Sequence, residues 1–114
     1  MRIGHIELPV SDPLSSARFY IDALGFESVV EDERVSWLAL DGLELQLRRG
    51  SPQSTKADRN AVNLVLYSHD VGTDLGRLNA AGVVTEERAN CHHFQDPDGH
   101  WWQLVDPRAD HSGA

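Results

Sequence analysis

The sequence is poor in several things at once. It has a single cysteine, Cys91, so an intrachain disulfide is impossible, and one thiol in 114 residues fits a reducing compartment. A lone Cys is more often a small buried hydrophobe than a nucleophile. Basic residues are outnumbered, with 10 Lys and Arg against 18 Asp and Glu and a formal net charge of -8. That balance argues against a nucleic-acid partner, which selects basic stripes, and favours plain solubility as the meaning of the charge. There is no apolar leader at the N-terminus and no apolar run long enough to span a bilayer. The expected location is the cytoplasm.

What remains is ordinary globular chemistry, 40% hydrophobic and 25% charged, in a length that supports one compact domain with a real core. The order of that chemistry repeats. "GHIELPVSD" alternates, with Ile6, Leu8 and Val10 on one face and His5, Glu7 and Pro9 on the other. Asp12 then reads as a helix N-cap with Pro13 at the first helical position. Leu14, Ala17, Ile21 and Leu24 follow at helical spacing, and Gly25 is the stop. "VNLVLYSHD" begins the same series again. Leu64 and Leu66 oppose Asn63, Val65 and Tyr67. Asp70 is the matching N-cap, Val71, Leu75 and Leu78 form the stripe, and Gly82 ends it. Gly72 and Gly76 weaken this second helix.

After each helix come three candidate strands: 27–31, 35–40 and 43–49 in the first half, and about 83–87, 91–95 and 100–105 in the second. The fold class is therefore α+β: two βαβββ modules, about 1–49 and 61–107, forming a curved mixed sheet around a cleft with helices on the outer face. The polar, turn-rich stretch at about 50–60 reads as the linker, and the tail after Pro107 as frayed.

The repeat also proposes equivalent positions. Seven residues before each N-cap aspartate, His5 matches Asn63. Near the end of each half "DGLELQL" matches "DGHWWQLV", here with two extra residues in the second copy, so that Glu44 matches Gln103. Parity puts Leu43, Leu45 and Leu47 toward the helices, with Glu44, Gln46 and Arg48 facing away. In the last strand it puts Trp102 and Leu104 toward the helices and Trp101, Gln103 and Val105 away. His5, Glu44, Asn63 and Gln103 then share the helix-free side with Gln46, Trp37, Tyr67 and Trp101, a set of polar and aromatic groups suited to a ligand cleft. His92 and His93 are adjacent and point to opposite faces, so one of them enters that side and the residues do not say which. His69, His100 and His111 fall in turns or the tail and are expected to be exposed. Asp96-Pro97-Asp98-Gly99 is turn chemistry with no catalytic role.

With "HIELPVSDPLSSARFYIDALGF", "DVGTDLGRLNAAGV" and "FQDPDGHWWQLVDP" in hand, the chain resembles the vicinal oxygen chelate superfamily, which includes glyoxalase I, bleomycin-resistance-type proteins and extradiol dioxygenases. The resemblance covers nearly the whole chain. It implies a single domain of the two-module fold, pairing as a homodimer that completes the cleft. In metal-dependent members the ligands lie on the first and last strands of each module; carried over, these are His5, Glu44, Asn63 and Gln103. Asn63 stands where a His is usual and Gln103 where a Glu is usual. Amide oxygens are neutral, weaker donors than imidazole and carboxylate. The resemblance thus implies a small-molecule-binding protein that holds a flat or aromatic ligand with no obligatory metal. The alternative is a lyase or isomerase of the glyoxalase type, with zinc, nickel, iron or manganese on His5 and Glu44 and with Glu44 or Glu7 carrying the proton. Ring-cleaving dioxygenase chemistry, which resembles a site of two His and one carboxylate, is less favoured.

Overall fold

The computed structural model describes residues 1–51, 62–88 and 91–108. The element order is β1 (Ile6–Val10), α1 (Pro13–Leu24), β2 (Glu27–Val30), β3 (Val35–Leu40), β4 (Leu43–Arg49), β5 (Leu64–Tyr67), α2 (Val71–Ala80), β6 (Glu86–Arg88), β7 (Cys91–Gln95) and β8 (Trp101–Val105). This is an α+β chain of two βαβββ modules. The chain divides into two compact units, Met1–Gln53 and Ser54–Ala114. Most of the expected linker, all of the tail beyond Arg108, and His111 lie outside the described residues.

In the first unit the strands run in the order β1-β4-β3-β2. β1 and β4 are parallel, with Ile6 opposite Leu45 and Leu8 opposite Leu47, while β3 pairs antiparallel with both β4 and β2. The apolar face collects Leu8, Val10, Leu38, Leu45 and Leu47, all buried, and α1 packs on this sheet. Asp12 starts α1 by accepting from the Leu14 and Ser15 amides at 3.2 and 3.4 Å. Gly25, at φ 79°, ends it, and the Phe26 amide reaches back to the Tyr20 carbonyl at 3.1 Å, which closes the last turn. The buried stripe of α1 differs from the expected one. Leu14 is exposed, and the face on the sheet is Pro13, Ser16, Ala17, Tyr20 and Ala23. Small residues at 16, 17 and 23 let the helix lie close to the strands, and Tyr20 fills the remaining depth against Phe26, ring centroids 5.6 Å apart. Leu43, at the start of β4, shares the face of Leu45 and Leu47 by register but is exposed.

The second unit repeats the topology as β5-β8-β7-β6. β5 and β8 are parallel, with Leu64 opposite Trp102 and Leu66 opposite Leu104. Phe94, Trp102 and Leu104 form its buried face. In α2, Asp70 accepts from the Thr73 amide at 3.1 Å and from the Thr73 hydroxyl at 2.8 Å. Leu78 is its buried residue, and Gly82 at φ 80° turns the chain so that the Val83 amide returns to the Leu78 carbonyl. β6 begins three residues later than the spacing suggests, at Glu86.

The turn before β8 is more than a surface loop. Asp96 and Asp98 are buried, and so is His100, which the sequence reading placed in the open. Asp96 Oδ1 accepts from the Asp98 amide at 2.9 Å and from the His100 amide at 2.8 Å. The Asp96 amide donates to the His100 carbonyl and the Gly99 amide to the Asp96 carbonyl. Gly99 supplies the φ of 92° that this closure needs. His100 is buried because the turn folds back onto its own first residue.

Candidate functional site

Pairing register shows what each polar face carries. In the first unit one row runs across three strands, Glu7 on β1, Gln46 on β4 and Trp37 on β3. Parity puts His5 and Glu44 on the same side as this row, opposite the face that α1 covers. The side chains there are in contact. His5 Nε2 lies 3.0 Å from Glu7 Oε2, and Glu7 Oε1 lies 3.6 Å from Arg48 Nε. The His5 and Trp37 rings meet edge to face, centroids 4.8 Å apart and planes at 66°, although β4 lies between their strands. The His5 side chain is about one-third exposed and that of Glu7 half exposed, so the pair contributes geometry more than stability.

In the second unit the corresponding row is Val65 on β5, Gln103 on β8, His93 on β7 and Glu86 on β6. One step along, Trp101 pairs with Gln95, and Asn63 precedes β5 on the same side by parity. In the other direction Tyr67, Val105 and Cys91 continue that side. Tyr67 is exposed, whereas Val105 is buried and Cys91 is a half-buried free thiol. Asn63 Oδ1, His93 Nδ1 and Trp101 Nε1 are all buried atoms, in contrast to the open His5 and Glu7.

The register changes one equivalence drawn from the sequence. Leu8 and Leu66 each stand four residues before their N-cap aspartate, and they pair with Leu47 and Leu104. The counterpart of Gln103 is therefore Gln46, and the counterpart of Glu44 is Trp101. No extra residues are needed: Asp41-Gly42 and Asp98-Gly99 are the same turn, with Gly42 at φ 80° and Gly99 at φ 92°. Each module thus carries a neutral amide at the centre of its polar face, Gln46 and not Glu44 in the first.

The open choice between the two adjacent histidines is settled as well. His93 pairs with Gln103, while His92 pairs with Leu104 and faces the apolar side. Phe94 carried that signal, because a residue buried opposite Trp102 forces its neighbour at 93 to the other face. Glu86 had no signal in the sequence, since its register depends on where the three-residue β6 begins.

As to a metal, His5 and Glu44 share a face of the first unit, and Asn63 and Gln103 share a face of the second. Within either unit, among the described residues, no three His, Cys, Asp or Glu side chains gather as a metal site. His5 Nε2 already meets Glu7, and Gln46 and Gln103 offer only neutral amide oxygens. Neither face fits a transition-metal site by its own donors.

Comparison with known proteins agrees with this architecture. A catechol-2,3-dioxygenase of Bacillus subtilis (strain 168) is 33% identical over 106 residues, covering 83% of this chain and 37% of the relative. The chain thus spans little more than a third of that relative's length. An antibiotic binding protein, TnmS3 from Streptomyces sp. CB03234, superposes with a TM-score of 0.69 at 28% identity, covering 94% of this chain and 98% of the other. The fosfomycin resistance protein FosX of Listeria monocytogenes, at 21% identity and a TM-score of 0.77 over 92% of this chain and 90% of its own, shares the fold. FosX has also been seen with Mn(II) and sulfate. Residues 2–104 match the model of one family. With two βαβββ modules and this match, the chain belongs to the Glyoxalase/Bleomycin resistance protein/Dioxygenase superfamily.

Proposed function

We propose that the protein binds a flat or aromatic small molecule, such as an antibiotic or a metabolite, on the polar faces of its two sheets and needs no metal to do so. One observation carries this reading: each module centres its polar face on a glutamine, Gln46 or Gln103, with a Trp close by at 37 or 101. An amide donates and accepts hydrogen bonds but is a poor metal donor, and an indole gives a planar ring a surface to stack on. The similarity to an antibiotic binding protein at 28% identity over nearly the whole of both chains supports it. His5, Glu44, Asn63 and Tyr67 complete the two faces. The chain works as a cytoplasmic homodimer in this reading. Among the described residues no helix is long and apolar enough to cross a membrane.

The test is to titrate a planar aromatic probe, 2-naphthol, into the protein with and without a strong chelator, following tryptophan fluorescence. Binding that is saturable and indifferent to the chelator supports the reading. Binding that appears only when a divalent metal is supplied favours the second reading, a metal-dependent lyase or isomerase using His5 and Glu44, with Glu7 or Glu44 as proton carrier. The observation on that side is the carboxylate already placed against the His5 imidazole, an arrangement that orients a ligating or proton-transferring histidine.

A further inference from the structure

The dipeptide Asp-Gly occurs twice in the chain, at 41–42 and 98–99, each time in the turn that leads into the last strand of a module. The surroundings of the two copies are opposite. Asp98 and Gly99 are buried. The Asp98 amide donates to Asp96 Oδ1 at 2.9 Å, and the Gly99 amide donates to the Asp96 carbonyl at 3.0 Å. Asp41 and Gly42 are exposed. Asp41 has a φ of 51°, the one positive φ outside glycine among the described residues, a region in which an L side chain crowds the carbonyl that follows it. A side chain built at Gly42 would meet nothing within 4 Å apart from its chain neighbours, so this turn has room to change shape.

We propose that Asp41 is a site of spontaneous succinimide formation, and so of isoaspartate, while the fold protects Asp98 from the same reaction. The Gly42 nitrogen attacks the side-chain carboxyl carbon of Asp41. An N–C bond forms, and the carboxyl hydroxyl leaves with the amide hydrogen as water. The product is a cyclic imide. Water then adds back at one of its carbonyls. Opening at the side-chain carbonyl restores aspartate, and opening at the main-chain carbonyl leaves the chain running through the side chain as isoaspartate. The composition is unchanged overall, and no reagent but water takes part. Glycine hinders this attack least, because it has no side chain beside the nitrogen. The attack also needs the amide hydrogen to be given up and the carboxyl to swing over its own backbone. At Gly99 a buried hydrogen bond holds that hydrogen, so Asp98 reacts only when the turn opens. At Asp41 the turn faces water and starts from a strained φ. The product adds one backbone carbon between Leu40 and Leu43, the pair that closes β3 on β4. A methyltransferase that esterifies isoaspartyl carboxyls is the class of partner that recognises such a mark. This chemistry is independent of what the polar faces bind.

The experiment ages the folded natural protein in neutral buffer at physiological temperature, with samples withdrawn over weeks. Trypsin divides the two turns between peptides 35–48 and 89–108. Electron-transfer fragmentation, with labelling by an isoaspartyl methyltransferase, locates isoaspartate in each. A parallel sample is aged in urea, which opens both turns. Asp41→Gly removes the carboxyl and takes the positive φ freely, so it keeps the turn and gives the background. In the folded protein isoaspartate at Asp41 is expected to exceed that at Asp98 by about tenfold or more, because Asp98 waits for local opening. In urea the two positions are expected to be similar, and Asp41→Gly is expected to lose the label from peptide 35–48. Equal accumulation at both positions in the folded protein, a lead for Asp98, or no isoaspartate at Asp41 overturns the proposal. A preference for Asp41 that persists unchanged in urea overturns it too, since the neighbouring residues and not the fold would then set it.

Discussion

His5 Nε2 and Glu7 Oε2 meet at 3.0 Å on one face of β1. They are two residues apart, so the strand's own pleat brings them to the same side. The contact has a chemical consequence, because any electrophile approaching Nε2 must first displace a carboxylate. It has little consequence for stability, because both side chains are substantially exposed. Glu7→Gln is expected to change the unfolding free energy by less than about 0.5 kcal/mol, on the scale of exposed ion pairs. Urea denaturation checks this, and a loss several times larger would mean that Glu7 supports the sheet itself.

The Asp96 turn should behave in the opposite way. Its Oδ1 satisfies two buried backbone amides, those of Asp98 and His100. Asp96→Ala leaves both without that acceptor and is expected to cost about 2–4 kcal/mol. Asp96→Asn keeps an acceptor oxygen and should cost much less. Chemical denaturation of the two variants distinguishes a structural turn from a surface loop, for which both changes would be nearly silent.

Asp70 predicts an acid-side effect. The Thr73 amide, and then the Thr73 hydroxyl, hold its carboxyl below the ordinary aspartate range. A carboxyl depressed in the folded state stabilises above its unfolded value, and that stability is lost as pH falls through the folded value. Asp70→Asn keeps the helix cap without the titration. Thermal melts from neutral pH down through the carboxylate range should show similar stability for the two proteins near pH 7 and a shallower acid decline for the variant. Parallel declines would remove Asp70 from the account.

The aromatic wall is tested by Trp101→Ala, expected to weaken 2-naphthol binding by about 1–3 kcal/mol while the fold stays intact, on the scale of a truncated aromatic anchor. Loss of folding without a selective binding defect would make Trp101 a packing residue.

Much of this molecule was legible in its sequence, and the boundary of legibility has physical causes. β3, β4 and β7 follow from alternation and turn residues because their Leu and Phe positions have one permissible side. Asp12, Gly25 and Asp70 are readable because caps rely on local geometry that few residue types supply. Of the buried face of α1 only Ala17 was legible, because Ser16 and Ala23 owe their burial to close packing on the sheet rather than to hydrophobicity. The burial of His100 is not legible because the closure of its turn depends on a carboxylate four residues away. At the candidate site, parity assigned the faces correctly but register did not follow from parity. A shift of two residues preserves every face, so parity alone leaves Glu44 and Gln46 as equally good repeat counterparts of Gln103, and only the strand pairing separates them.

Assembly is a separate expectation. Light scattering should return the mass of two chains, not the 12.7 kDa of one, and a mass that stays at one chain across concentrations would remove the homodimer.

The central claim, a ligand face with no obligatory metal, is tested most directly by calorimetric titration of Zn²⁺, Ni²⁺ and Mn²⁺ into the metal-stripped protein. Gln46, Asn63 and Gln103 are amides, and His5 is engaged by Glu7, so the account predicts weak or undetectable binding of all three ions, with 2-naphthol binding retained throughout. Tight stoichiometric binding of any of them, abolished by His5→Ala or Glu44→Ala, would contradict it and make the protein a metalloenzyme.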